Sequence, residues 1–211
     1  MAEHVAACAV AGVQSGFHVI GDAGVDAVLD GYEEAARRVG IHAVRDSRPR
    51  LEHVEMIDGA GVARLDRLGL TASVQPAFDA AWGGSTGMYA DRLGPARVRG
   101  MNPLRAMVAA GVPVALGSDS PVTPFDPWAA IAASVLHHDP SERLEPGVAF
   151  HAHTVGGWRA ARDDIGGELR VGAPATFAAW DGPIEDLGGL PNPTEPPACR
   201  VTVRGGVRLD G

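Results

Sequence analysis

The stretch GFHVIGD, residues 16–22, decides how the chain is read. A short apolar run carries His18 near its C-terminal end and turns at once through Gly-Asp into a helical pattern. Two later stretches repeat this arrangement. RLEHVE, residues 50–55, brings His53 to a strand end, and VPVALGSDSPV, residues 112–122, ends in Asp119. Three separate strand-like runs therefore each deliver a side chain able to hold a metal or accept a proton.

Working outward, Val25, Val28, Leu29, Tyr32, Ala35 and Ala36 recur at helical spacing, with Asp22 in the position of an N-cap and Gly40 in that of a C-cap. IHAVRDSRP, residues 41–49, reads as a loop into the second strand. A helix over Asp58–Leu68 closes at Gly69, and LTASVQP, residues 70–76, is a third strand ended by Pro76. Residues 77–100 read as one long glycine-containing loop, of the kind that in a compact domain is functional or mobile. Helices are expected near Asn102–Ala110, near Pro127–Leu136 and from Pro146 to about Arg162. ATFAAWDG and CRVTVRGGVRL read as β structure on either side of the Pro-rich turn LPNPTEPPA. The order is a helix, four βα units, an extra helix and two or three strands. Such alternation predicts an α/β fold with a parallel sheet. Right-handed crossovers then put every strand's C-terminal end on one rim, where chemistry sits in open sheets and barrels alike.

On that rim His18, His53 and Asp119 would converge. Imidazole nitrogen and carboxylate oxygen suit Zn²⁺ and its neighbours, and a carboxylate beside activated water can take its proton. Each residue also has an ordinary explanation. A strand-end histidine is most often a hydrogen-bonded surface or core residue, and Asp119 in GSDSP could cap the following helix. Their common position at the ends of consecutive βα units is what sets them apart.

Other histidines compete less well. His151 and His153 in HAHT have the spacing of a strand-borne ligand pair, but Val148, Ala152, Val155 and Trp158 follow helical spacing. On a helix, residues i and i+2 diverge by about 200° and cannot share an ion. His137 and His138 stand at a helix end, where imidazoles favour the dipole. No Gly-x-Gly-x-x-Gly follows a strand, and no Gly-x-Ser-x-Gly elbow joins a strand to a helix, the GGSTG of residues 83–87 falling inside the long loop, so neither a dinucleotide fold nor a serine hydrolase has support.

Bulk properties narrow the class further. A net charge of −8 disfavours nucleic acid, which needs a basic face. No apolar run approaches the roughly 18 residues of a membrane span. The N-terminus lacks the basic region of a signal peptide, so the cytoplasm is the default compartment. Cys8 and Cys199 are too far apart in sequence to suggest a disulfide framework and read as buried free thiols.

GFHVIGDAGVDAVLDGYEEA, RPRLEHVEMID, LGLTASVQPAF and LGPARVRGMNPLRAMVAAGVPVALGSDSPVTPFDPWAAI, taken in order, resemble the amidohydrolase superfamily. The branch is the amidohydrolase family 3 type, similar to N-substituted formamide deformylases. The resemblance runs from about residue 4 to about residue 182. It implies the C-terminal half of a metal-dependent (β/α)8 barrel, four βα units over residues 1–165, with residues 166–211 contributing strands to a small β-sandwich. It further implies that His18 and His53 are metal ligands after the fifth and sixth barrel strands. Asp119 would follow the eighth, as both metal ligand and catalytic general base. Zn or another divalent transition metal is the implied cofactor, and a small amide-like molecule the implied substrate. The family's first-strand His-x-His pair and its bridging lysine have no counterpart: only His4 and no lysine precede His18. Ala175-Thr176 stands where the family usually reads Ala-Asp. The chain is therefore expected to be incomplete alone, from a truncated, split or mis-started gene.

Three functional readings follow. The first is a metal-dependent hydrolase of non-peptide C–N bonds. The second is an inactive half-barrel that forms a homodimer or pairs with a missing N-terminal half. The third is an open α/β sheet binding a small ligand without metal. Phe78, Trp82 and Tyr89 are candidate apolar walls of the pocket.

Overall fold

The computed structural model describes residues 1–181 and 197–209. Helix α1 (Ala2–Val10) leads into strand β1 (Gly16–Val19), helix α2 (Asp22–Val39), the short helix α3 (Ile41–Asp46) and strand β2 (Arg50–His53). Helix α4 (Gly59–Leu68) and strand β3 (Thr71–Val74) follow, then α5 (Pro76–Trp82), α6 (Met88–Leu93), α7 (Pro95–Val98) and α8 (Leu104–Ala109). Strand β4 (Val114–Leu116) precedes α9 (Pro127–Val135), α10 (Pro146–His153) and α11 (Val155–Ala160). The described part closes with β5 (Phe177–Trp180), β6 (Cys199–Arg204) and β7 (Val207–Leu209).

Strands β1–β4 form one parallel sheet in sequence order, and β5–β7 a separate antiparallel sheet. This is the α/β architecture of half a (β/α)8 barrel with a small sheet beside it. Helices pack on this sheet, α2 against β1 and α10 and α11 against β4. Val25, Val28, Leu29, Tyr32 and Ala35 of α2 are all buried. Each large apolar side chain buried in this way contributes about 1.5–3 kcal/mol. Strand β4 is buried along its whole length, as a parallel strand covered on both faces should be. Helix α11 packs against the β4 backbone so closely that a Cβ on Gly156 would lie 2.3 Å from the Val114 carbonyl oxygen.

Local signals set most boundaries. Asp58 caps α4 by accepting from the Gly61 amide at 2.7 Å, and Gly69 ends the helix in the left-handed region, φ 69°. Five expectations need correction. Asp22 is the first helical residue of α2 rather than its cap, which is Gly21. Residues 41–46 are helical, because Gly40 at φ 90° lets α3 start anew at an angle to α2. The long loop after β3 is three short helices, two of them begun by the prolines Pro76 and Pro95, whose fixed φ suits a first helical turn. The segment from Pro146 breaks at Thr154 into two helices. His151 and His153 both lie on α10, as their helical surroundings predict. The thiols are free, but Cys8 is half-buried and Cys199 exposed, not buried. No helix among the described residues is long and apolar enough to cross a membrane, and most of the Pro-rich turn lies outside them.

Candidate metal and catalytic site

Strand pairing brings the three site residues to one rim, but pairing alone would misdirect one of them. In the β1–β2 ladder His18 stands opposite Glu52, and His53 opposite Val19. Pleat alternation would therefore send the two histidines to opposite faces. The backbone breaks that alternation: His53 has φ 72° and Val54 φ 56°. A β-branched residue in this region is a strained outlier. The turn aims the His53 ring back toward His18, and the ring centroids come within 4.5 Å, edge to face.

Asp119 arrives from the loop after β4. It too is left-handed, φ 52°, which Asp tolerates better than most residues. Its backbone carbonyl accepts from Val122 at 2.9 Å. It does not cap α9; Asp126 does, accepting from the Trp128 and Ala129 amides at 3.0 Å. Asp119 is thus free for another use, and its Oδ2 lies 4.0 Å from His53 Nε2. That gap exceeds a hydrogen bond. Four of the six non-glycine residues at positive φ, namely His53, Val54, Asn102 and Asp119, lie at this end of the sheet. Strain of this kind gathers where surrounding structure holds a functional geometry.

The electrostatics differ across the site. Burial first, and then the neighbouring His18, hold the His53 imidazole below its usual range, against the pull of Asp119. His53 is accordingly disposed to be neutral with a free lone pair. Its Nδ1 is buried without a hydrogen-bond partner, as are Gln75 Oε1, both Glu55 carboxyl oxygens, Asn102 Nδ2 and His137 Nε2. Unpaired buried polar atoms are rare in folded proteins; those of His53, Glu55 and Gln75 follow the ends of β2 and β3, whereas another, Trp128 Nε1, lies on α9. Burial raises the Glu55 pKa, with Asp79 acting the same way and Tyr89 and His18 opposing.

The aromatic residues form a continuous wall. Phe78 stacks on His53 at 5.7 Å, Trp82 lies 4.7 Å from Phe78, and Tyr89 lies 6.1 Å from Trp82. One buried anchor escaped the sequence reading. Asp79, on the first turns of α5, accepts from the His138 amide at 3.0 Å and lies 3.0 Å from His138 Nδ1 and 3.7 Å from His137 Nε2. His138 therefore does more than face a helix end: through Asp79 it ties the end of α9 to α5. Only the carboxylate's burial distinguishes Asp79, and burial is invisible in FDAAW.

Among the described residues, no three His, Cys, Asp or Glu side chains are already gathered into a metal-ready group. The donor types at His18, His53 and Asp119 nevertheless fit a divalent ion. So does the partnerless polar lining beside them.

Residues 1–209 match the amidohydrolase family. The chain belongs to that family. It is 33% identical over 187 residues to the protein LONG AFTER FAR-RED 3 of Arabidopsis thaliana, an alignment covering 81% of this chain and 31% of that one. It is 27% identical over 185 residues to the N-substituted formamide deformylase of Arthrobacter pascens, covering 81% of this chain and 32% of that enzyme. In structure it resembles an uncharacterized metal-dependent hydrolase from Pyrococcus furiosus, with a TM-score of 0.69 and 27% identity over 82% of this chain and 35% of that one. This amidohydrolase-family chain thus spans about a third of the length of these relatives.

Proposed function

We propose that this chain carries the metal-binding and proton-transfer rim of a hydrolase cleaving non-peptide C–N bonds, in an amide, a formamide or a cyclic amide. The observation that supports the reading is the placement of His18, His53 and Asp119 at or just beyond the C-terminal ends of one parallel sheet, with His53 near both His18 and Asp119. Family membership and the likeness to a formamide deformylase support the substrate class. Two imidazoles and a carboxylate are a donor set suited to zinc. A divalent ion bound by His18, His53 and Asp119 would supply Lewis acidity toward the scissile carbonyl and acidify water. His53, disposed by burial to be neutral, contributes a lone pair rather than a charge. Asp119 takes the proton of the attacking water on a carboxylate oxygen and passes it to the leaving nitrogen as the C–N bond breaks. Phe78, Trp82 and Tyr89 exclude water on one side and seat an apolar substituent of the substrate.

A second reading has its own support. Among the described residues, β1 and β4 each pair on one side only, and the three donors are not yet closed on a common point. On this reading the chain is inactive by itself and works as a homodimer or beside a separate N-terminal half. One experiment separates the two. The chain is assayed for zinc and for formamide hydrolysis alone, then after co-expression with a family first half. Activity that appears on co-expression and vanishes in Asp119→Asn, with zinc partly kept, supports the hydrolase. Zinc content indifferent to His18→Ala and His53→Ala would sink the assignment.

A further inference from the structure

We infer that the opposite end of the parallel sheet holds a second binding site, for a small polyvalent oxyanion of the phosphate class. A cavity of about 230 Å³ opens there, lined by Arg45, Arg48 and Arg159 together with Asp66, Gly69 and Thr71. Thr71 is the first residue of β3, so the cavity lies at the N-terminal ends of the strands. A strand of four residues spans roughly 13 Å, which separates this cavity from the rim of His18, His53 and Asp119.

The charges around it are poorly compensated. Arg48 pairs with Asp164. Among the described residues, Arg45 donates only to the Asp66 backbone carbonyl, at 3.3 Å. The Arg159 side chain has no hydrogen bond or ion pair among the described residues, and only the longer-range charge of Asp164 answers it. Three guanidinium groups thus face two carboxylates, Asp66 and Asp164, on a chain whose net charge is −8. A local excess of positive charge on an acidic protein attracts anions. The site is also partly preorganised. Gly69 is left-handed, and a Cβ there would lie 2.9 Å from Arg45 Cγ, so the absence of a side chain lets the arginine stem lie over the turn. Guanidinium forks match tetrahedral oxyanions and carboxylates with paired N–H donors, and the Thr71 hydroxyl adds a neutral one. The volume is below the range of drug-sized pockets, which begin at about 300 Å³, and suits phosphate itself or a small phosphomonoester or dicarboxylate.

The test is isothermal titration calorimetry of the full chain at fixed ionic strength, with inorganic phosphate in one arm and malonate in another. Saturable phosphate binding is expected. Arg45→Gln and Arg159→Gln should each weaken it about tenfold, the loss of one charge-assisted hydrogen bond. Asp66→Asn, which removes the opposing carboxylate, should tighten it. That variant keeps the test decisive should the arginine variants fold poorly. Stronger binding of malonate than of phosphate would transfer the site from the phosphate class to dicarboxylates and overturn the assignment made here. Heat that merely tracks ionic strength, equal affinity in all variants, or loss of binding on EDTA treatment would also overturn it. The last result would move the anion to the metal rim, independently of whether the hydrolase proposal holds.

Discussion

His53 Nε2 and Asp119 Oδ2 stand 4.0 Å apart at the ends of β2 and β4, two strands that do not touch each other in the sheet. Neither group satisfies the other at that distance, and the His53 imidazole is 5% exposed. A buried ring and a half-exposed carboxylate held near contact, both on left-handed backbone, form a geometry that packing alone does not require.

If these two groups and His18 share an ion, each single alanine substitution should lower zinc affinity by about ten- to a hundredfold or more, since even outer-shell partners of ligands are worth that much. Equilibrium dialysis with zinc measures it. His151→Ala serves as the control, because His151 is exposed on α10 rather than placed at the end of a strand. Loss of zinc in that variant with none in His18→Ala would contradict the site.

Asp79 should matter for stability. It is 4% exposed and holds the His138 amide and ring. Asp79→Ala leaves those donors unpaired and should cost about 2–3 kcal/mol. Urea unfolding gives the value, and a change below about 0.5 kcal/mol, the scale of ordinary surface substitutions, would show that α5 and α9 are held by other contacts.

Gly156→Ala should be among the more damaging small substitutions. The added methyl meets the Val114 carbonyl oxygen at 2.3 Å, so α11 must move off β4. Overpacking of this kind costs about 1–3 kcal/mol and more where backbone must yield. Gly157→Ala, where the new Cβ meets nothing within 4 Å, is the matched control in the same thermal melts.

Alkaline unfolding should be traceable to Tyr32. Burial, opposed by its hydrogen bond to Ser15, raises its pKa from 10.0 to about 12. A raised folded-state pKa means that the stabilisation is complete below pH 10 and is lost as pH climbs toward 12. The loss should amount to about 3 kcal/mol, at 1.36 kcal/mol per pKa unit. Tyr32→Phe should be less stable than the wild type at pH 7 yet fall less steeply between pH 10 and 12. Parallel curves for the two proteins would assign the alkaline loss elsewhere.

The sides of β1 and β4 that pair with no strand among the described residues carry a prediction about assembly. Unpaired parallel strands invite pairing with another chain, so light scattering at low micromolar concentration should find dimers or larger species rather than a monomer. A monodisperse monomer that unfolds cooperatively would mean that the open sheet is self-sufficient.

Periodicity and punctuation in the sequence determined the βα alternation, because helix and strand periods and capping residues such as Asp58 and Gly69 act over a few neighbours. The same local signals placed His18, His53 and Asp119 at strand ends. Tertiary structure decided the rest. Whether His53 faces His18 depends on left-handed backbone at His53 and Val54, which no residue type there announces and which the surrounding packing must enforce. The helices hidden in residues 76–98 are too short to show a periodicity, and they become helical where Pro76 and Pro95 fix the first turn and Phe78 packs on His53. The tie from Asp79 to His138, and the gathering of Arg45, Arg48 and Arg159, join segments far apart in the chain. Charge and burial act through space, and only the folded chain sets those distances.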